Sequence, residues 1–585
     1  MKKIFPFPLV LALIFFIYQP SLQSPFKTLD EYPFLVLNSN IHDLRHFQNA
    51  FFSSFLGGPF YRPLVALMYT VEFHFFGLNS FYYHLVNVLL HACNAFGVFL
   101  LCRNLLKNDF KSFWAALIFA VHPLQWEVCL INNRSMLLYS FFVLWCVFFY
   151  QNFLQKERVG YYLASLVMFL GALFTKESAV FLPCLLVVQT WAAGKLPKGK
   201  KLAPFFIGVL FYALIRQNIL GPTIGFWNSG YSMILGVASF LWVVATIVRL
   251  IFYPFDLYLD RSSPLFSTLF CPQIIAGFIF CLSLIVMLWR QKDKMTRTHL
   301  FFMAWMIIEL LPVSQIVPLN IQNNMLYANE HLAYLFLIGV LVLMVEVLAW
   351  GYAQAQKDSR KVFQCLAVIL VVSFVTLARQ QNILAYDQKQ LYRASLSRAP
   401  DNKRVRVSLA LALASEGFLQ EAKKELQKVL TFDPHDDIAR LNIGRILYLQ
   451  KKYLEALEEY EKINTSSKRL TANKEEVFRA LIDGYRIALE KDPQDPKVYY
   501  SLGIIFSKKG DISASIAAYQ EAVRYDPGMK EALYNLGVSY AQIGQWPQAL
   551  EWLKKSLQIP GDPQFDRVIA QYLKDVRQKP KAPKE

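Results

Sequence analysis

Residues 80–103 read SFYYHLVNVLLHACNAFGVFLLCR, an apolar run whose only strongly polar members before the closing Arg103 are His84, Asn87, His91 and Asn94. A helix needs roughly 17 to 25 predominantly apolar residues to cross a bilayer, so the run reads as a membrane span. Its four polar residues recur at spacings of three and four, along one helical face. Inside a span such groups turn away from lipid, so interhelical hydrogen bonding is their expected role. Ten further runs have the same character, at about 3–20, 111–131, 135–153, 159–174, 177–194, 202–220, 271–290, 299–313, 331–350 and 361–379. They raise the 585-residue chain to 55% apolar and 15% aromatic residues, well above the globular mix. The excess stops near residue 380, and the remainder has the charge density of a soluble helical protein.

Basic residues fill alternate connections: Lys2 and Lys3, then Arg103, Lys107 and Lys111, then Lys156 and Arg158, Lys195 to Lys201, Arg290 to Arg297, and Lys357 to Lys361. The positive-inside bias makes these loops and the N-terminus cytoplasmic. The other loops, which hold Asp30, Arg134, Lys176 and Glu330, are then extracytoplasmic. Residues 232–252 break this count, because a span there would place the basic loop after Arg290 outside. They are expected to be re-entrant or to lie against the bundle on the outer side, with Arg249 facing protein or water. The net charge of +18 comes mainly from the cytoplasmic loops and a basic tail, which suits anionic lipid and not nucleic acid. Eight cysteines fall in or beside apolar segments and form neither a disulfide framework nor a metal spacing. The first apolar segment also has the pattern of a cleavable signal peptide, which leaves Asp30 on the same side.

The polar residues of the outer loops are the candidates for chemistry. Directly after the first span comes LDEYPFLVLNSN at 29–40, in which Asp30 and Glu31 are adjacent. One ionised carboxylate of such a pair serves as a general base while the other tunes it or binds a substrate hydroxyl. Arg62, just before Pro63 at the mouth of an amphipathic helix, suits a lipid headgroup or a substrate phosphate. Outer turns then supply His122 before Pro123, the cluster Glu127, Asn132, Asn133 and Arg134, and the adjacent Lys176 and Glu177. The loop at 254–264 is rich in aromatics and acids, and Glu330 and His331 open a later span.

The succession LDEYPFLVLNSNI, YRPL, GLNSFYYHLVNVLLH, HPLQWEVCLINNRSMLL, TKESAVFLPCLL, LPVSQIVPL and NEHLAYLFLIG resembles the transmembrane-and-tetratricopeptide-repeat O-mannosyltransferases and their bacterial relatives. These belong to the GT-C class of integral-membrane glycosyltransferases. The resemblance implies transfer of a sugar, mannose in the eukaryotic members, from a polyprenyl-phosphate carrier to a Ser or Thr hydroxyl outside the cytoplasm. The family's acidic motif maps to Asp30 and Glu31. Its boundary Glu with a basic partner maps to Glu330 and His331, where His stands in a position often held by Arg. Titration of His near neutrality makes that positive charge conditional.

From about 403 the spacing becomes 34, the period of tetratricopeptide helix pairs. Gly503, Gly510 and Ser515 are followed 34 residues later by Gly537, Gly544 and Ala549, and Ala422 by Ala456. INTSSKRLTANKEE interrupts the series, leaving four good repeats and one partial. The expected architecture is all-α: a GT-C-like membrane bundle of about eleven spans at 1–380, a linker at 381–402, and a tetratricopeptide solenoid at 403–576 with an irregular insertion near 464–474. A disordered basic tail at 577–585 follows.

The expected function is an inverting glycosyltransferase that moves mannose or a similar hexose from a polyprenyl-phosphate donor to a hydroxyl acceptor. The acceptor is a protein or peptide held on the repeats, on the outer face of a bacterial inner membrane. Asp30 is the expected base and Glu31 its support or a sugar-hydroxyl ligand. Arg62, Arg134, Lys176 and His331 are the candidates for the phosphate, with His122, Glu177 and Glu330 as further substrate-binding residues. No cofactor is required, and a divalent metal beside the acids is compatible with the scheme. The alternative is a non-enzymatic repeat scaffold for envelope proteins, which leaves the outer charges unexplained because an anchor needs one span.

Overall fold

The computed structural model describes residues 7–55, 58, 60–197, 199–221, 233–264, 266, 268–314 and 325–578. The tail at 579–585 and part of the loop before Glu330 lie outside them. The chain divides into two compact units, Met1–Ala412 and Leu413–Glu585.

The first unit is helical. In chain order it holds α1 (Phe7–Tyr18), α2 (Asn49–Phe52), α3 (Pro63–Phe76), α4 (Ser80–Leu106), α5 (Asp109–Val121), α6 (Arg134–Lys156), α7 (Val159–Leu173) and α8 (Leu182–Ala192). Then come α9 (Gly199–Leu220), α10 (Met233–Phe252), α11 (Pro272–Arg290), α12 (Arg297–Leu310), α13 (Ala333–Gln354), α14 (Lys357–Tyr386), α15 (Gln388–Arg398) and α16 (Lys403–Ser415). Among the described residues the strand content is one antiparallel pair, Ser262–Pro264 with Met325–Tyr327.

Each of the eleven apolar runs contains a helix, but several helices are shorter than the runs. Among the described residues, seven helical stretches are long and apolar enough to cross a membrane: Ser80–Leu106, Ile131–Lys156, Gly199–Leu220, Ile234–Phe252, Pro272–Arg290, Glu330–Gln354 and Lys357–Tyr386. The run at 111–131 yields a helix only to Val121, because His122 is extended ahead of Pro123 and the chain continues in 3-10 turns. Likewise α8 begins at Leu182, since Glu177–Phe181 is a 3-10 turn. These shortenings leave irregular, polar backbone at one end of the bundle, where the candidate residues lie.

Residues 233–252, expected to be re-entrant or to lie against the bundle, form one uninterrupted helix, α10. A Cβ at Gly277 would come within 2.7 Å of the Leu241–Trp242 backbone, so glycine is what lets α11 pack directly on α10. Arg249 is paired with Asp256 at 3.0 Å. His122 Nε2 meets the Ile251 carbonyl at 3.0 Å, which ties the end of α10 to the end of α5.

Residues 381–402 are also folded, as the end of α14 and the whole of α15. Leu391, Tyr392 and Leu396 form the buried stripe of α15, hidden in the sequence among basic residues. Buried polar contacts hold the bundle: Asn87 donates to the Val128 and Leu130 carbonyls, and Asn94 to Leu137 and Tyr334. This is the interhelical bonding expected of α4.

The second unit continues as paired helices. After α17 (Leu419–Phe432) come α18 (Asp437–Leu449) with α19 (Tyr453–Glu461), then a single long α20 (Lys468–Lys491). The pairs α21 (Pro496–Lys509) with α22 (Ile512–Tyr525) and α23 (Lys530–Gln542) with α24 (Trp546–Gln558) follow, closed by α25 (Pro563–Gln578). Gly503 faces the Tyr519 ring, where a Cβ would lie 2.4 Å away, the close approach that the 34-residue spacing implies.

Candidate functional site

A cavity of about 280 Å³ lies where the irregular segments of the first unit meet. Its wall includes Asp30, Arg62, Glu127, Asn132, Lys176, Glu177, Asp260, Glu309, His331 and Arg404. Residues as far as 374 positions apart in sequence are thus neighbours, as Asp30 and Arg404 are.

The Asp30 loop is braced from several directions. Glu31 is buried, and its carboxylate accepts from the backbone N–H of Lys27 (2.9 Å) and of Ile131 (2.7 Å). Burial pushes its pKa up, offset in part by Lys27 and these backbone donors. Glu31 therefore welds the 27–31 loop to the 131 turn and does not line the cavity. The neighbouring Asp30 points the other way, accepting from Asn132 Nδ2 at 2.9 Å and from Arg404 Nη2 at 2.6 Å. On its far side the loop is held by α15: Tyr392 Oη accepts from Leu29 N–H at 3.1 Å, and Gln388 Oε1 from Thr28 N–H at 3.0 Å.

The cationic candidates separate into two groups. Arg62 and Lys176 line the cavity. The Arg62 guanidinium donates to Glu177 Oε2 at 3.0 and 3.1 Å and stacks over Phe60. Glu177 also accepts from Tyr61 N–H at 3.2 Å, so it orients Arg62 while facing the cavity itself. Lys176 Nζ lies 3.1 Å from Met136 Sδ, its one hydrogen-bond contact among the described residues. Burial, with Arg62 nearby, lowers its pKa to about 8 against the pull of Glu177 and Glu309.

Arg134 and His122 are placed elsewhere. Arg134 is fully buried, paired with Glu72, bonded to Asn87 and donating to the Tyr83 carbonyl at 2.8 Å. Every arm of its guanidinium is engaged in joining α6 to α3 and α4, away from the cavity wall. His122 caps the 3-10 turn after α5, accepting from Leu124 N–H at 3.2 Å.

Glu330 and His331 do not partner each other. Glu330 is buried and accepts from Arg261 Nε at 2.7 Å, while His331 Nδ1 meets Glu127 Oε2 at 2.7 Å on the cavity wall. The basic partner of Glu330 is thus an arginine supplied by the 254–264 loop. Glu127, Asp260, Glu309 and Arg404 line the cavity without having been assigned roles from the sequence. The YLDRSSP stretch held the signal for Asp260 and Arg261, whereas Arg404 is lost in KRVR, a basic run that reads as the first repeat.

Chemically the cavity wall carries five carboxylates, Asp30, Glu127, Glu177, Asp260 and Glu309, beside the cations Arg62, Lys176 and Arg404. That combination suits proton abstraction beside an anionic leaving group. Among the described residues no cluster of three or more His, Cys, Asp or Glu has metal-binding geometry.

Comparison with known proteins gives matches in both units. Residues 59–220 match the family model for dolichyl-phosphate-mannose-protein mannosyltransferase, and residues 407–467 and 500–564 match that for the tetratricopeptide repeat. The first match contains Arg62, Glu127, Lys176 and Glu177 but neither Asp30 nor Glu330. Protein O-mannosyl-transferase Tmtc3 of Drosophila melanogaster is 22% identical over 503 residues, covering 70% of this chain and 53% of that protein. Protein O-mannosyl-transferase TMTC3 of Homo sapiens is 23% identical over 505 residues, 77% of this chain and 54% of that protein. Among solved structures, a thermophilic TPR protein of Thermus thermophilus is 17% identical, covering 35% of this chain and 94% of its own, at a TM-score of 0.18, too low to carry an argument. By its two family matches and these relatives, of which it spans about half the length, the chain is a relative of the transmembrane-and-tetratricopeptide-repeat protein O-mannosyltransferases.

Proposed function

We propose that the protein is an integral-membrane glycosyltransferase that transfers mannose or a similar hexose from a polyprenyl phosphate to a Ser or Thr hydroxyl of a protein. The cavity carries this reading, because it sets Asp30 beside Arg62, Lys176, His331 and Arg404. Asp30 takes the proton of the acceptor hydroxyl. The acceptor oxygen forms a bond to the anomeric carbon while the carbon–oxygen bond to phosphate breaks, and the polyprenyl phosphate departs with the electron pair. Attack from the face opposite the phosphate inverts the anomeric centre. Arg62, Lys176 and His331 hold the negative charge that grows on the leaving phosphate. No cofactor is needed for this step, and a divalent metal beside Asp30 is compatible with it. The cavity faces the extracytoplasmic side, where the lipid-linked donor is presented, and the repeats offer a protein-binding surface.

The test pairs chemistry with biology. Asp30→Asn is expected to cut transfer to a Ser/Thr peptide by about 10²- to 10⁴-fold with an unchanged melting temperature, the usual range for a lost general base. Full activity of that variant removes Asp30 from the reaction. Mass spectrometry of envelope proteins and glycolipids from cells with and without the gene identifies the acceptor class.

A further inference from the structure

The loop at 254–264 has no part in the step above, yet it is braced by side chains from several other segments. Leu259 N–H donates to Ser395 Oγ (3.1 Å), and Arg398 donates to the Leu257 carbonyl (3.2 Å). Asn402 Nδ2 donates to the Asp260 carbonyl (2.8 Å), and Arg261 N–H to Asn329 Oδ1 (2.6 Å). Between these braces Asp260 is held at φ +61°, in the left-handed region that residues other than Gly, Asn and Asp avoid. Such backbone persists only where its surroundings over-determine it, and it gathers at functional sites.

The Asp260 carboxylate is the informative group. It lines the cavity and its side chain is 2% exposed. Oδ1 accepts from Ser262 N–H at 3.1 Å, but Oδ2 has no hydrogen-bond partner among the described residues. The closest cation is Arg404, whose Nη1 stops 3.6 Å from Oδ2 while its Nη2 reaches both oxygens of Asp30 at 2.6 Å. One guanidinium thus spans two carboxylates, bonded to the first and short of the second. The Arg404 side chain is 50% exposed, so it can shift to admit a ligand group without being unburied.

We propose that Asp260 is a sugar-binding residue of this cavity, its Oδ2 accepting a hydroxyl of the lipid-linked hexose, with Arg404 as the positioning residue that sets Asp260 against Asp30. The inference rests on the lipid-phosphate sugar reading above. An ionised carboxylate only accepts hydrogen bonds. The phosphate of such a donor is anionic and offers Asp260 nothing, and the acceptor hydroxyl is spoken for by Asp30. The hydroxyls of the hexose are the remaining donors that can complete Oδ2. Asp260 therefore distinguishes a sugar-loaded carrier from a spent one.

The experiment titrates the purified full-length protein in nanodiscs with farnesyl phosphate mannose and with farnesyl phosphate. The wild type is expected to bind the mannosylated lipid more tightly, and Asp260→Asn to lose about tenfold or more of that preference, as for a hydrogen bond to a charged group. Its affinity for farnesyl phosphate stays as it was. Asn tolerates the left-handed backbone, and Asp260→Gly, which adopts it without strain, decides the matter if the first variant misfolds. A full preference for the mannosylated lipid in either folded variant overturns the inference, as does equal wild-type affinity for the two lipids. Wild-type protein that binds neither lipid instead sinks the donor assignment on which the proposal rests.

Discussion

Lys176 is the cavity cation without a carboxylate clamp, and burial leaves it titrating at about pH 8. Its ammonium is charged below that value and neutral above it. A phosphate held by this charge is therefore bound at neutral pH and released progressively as pH rises through about 8. Donor affinity of the wild type should fall across that range, whereas Lys176→Arg, whose guanidinium stays protonated, should show no such fall. A flat wild-type profile removes Lys176 from the phosphate site. Glu31 sits beside Asp30 in sequence and has the opposite duty. In Glu31→Gln one carboxylate oxygen becomes an amide that faces a backbone N–H, leaving a buried donor unsatisfied at a cost of about 1–3 kcal/mol. The expected result is a lower melting temperature, with residual transfer in whatever fraction stays folded. An unchanged melting temperature would show that the weld between the Lys27 and Ile131 turns is dispensable.

At the scale of the element, α15 is the part that gives the cavity its shape. Tyr392 and Gln388 hold the Asp30 loop, and Ser395 and Arg398 hold the Asp260 loop. Tyr392→Phe deletes the hydroxyl that takes Leu29 N–H while keeping the buried ring. Hydrogen exchange at residues 28–31 should quicken, and transfer should fall about 3- to 10-fold with donor affinity little changed, because a misaligned base costs rate more than binding. Unaltered exchange there would disprove the bracing. This helix also marks where reading from sequence stops. The apolar runs, the polar stripe of α4 and the 34-residue period announce their helices through spacing alone. Which way a charged residue points follows no such period. Glu31 and Arg134 carry the same residue types as active-site groups, yet backbone donors and Glu72 absorb them. Asp30, Arg62, Lys176 and His331 do meet, on the wall of one cavity. Arg404 and Asp260 join them through tertiary contacts that no local pattern encodes.

For the molecule as a whole, Asn132 and Lys176 line the cavity and Asp256 pairs with Arg249 at 3.0 Å, while Lys195 pairs with Glu157 at 2.7 Å beyond the ends of α8 and α6. With cysteines introduced singly, an impermeant thiol reagent applied outside intact cells should label Asn132→Cys and Asp256→Cys but not Lys195→Cys. Labelling of the last in place of the first two would reverse the orientation and with it the extracytoplasmic reaction.

Thr28 donates to the Ser408 carbonyl and Leu29 to Tyr392, contacts that bridge 380 and 363 positions of chain. Translation delivers the acid first and its anchors last. A nascent polypeptide halted before residue 388 carries the Asp30 loop joined to the Ile131 turn through Glu31 and Asn132 but without its anchors on Tyr392 and Arg404, so the cavity wall is complete only when the first unit is nearly fully made. A chain that ends in this region lacks the late anchors of the Asp30 loop altogether.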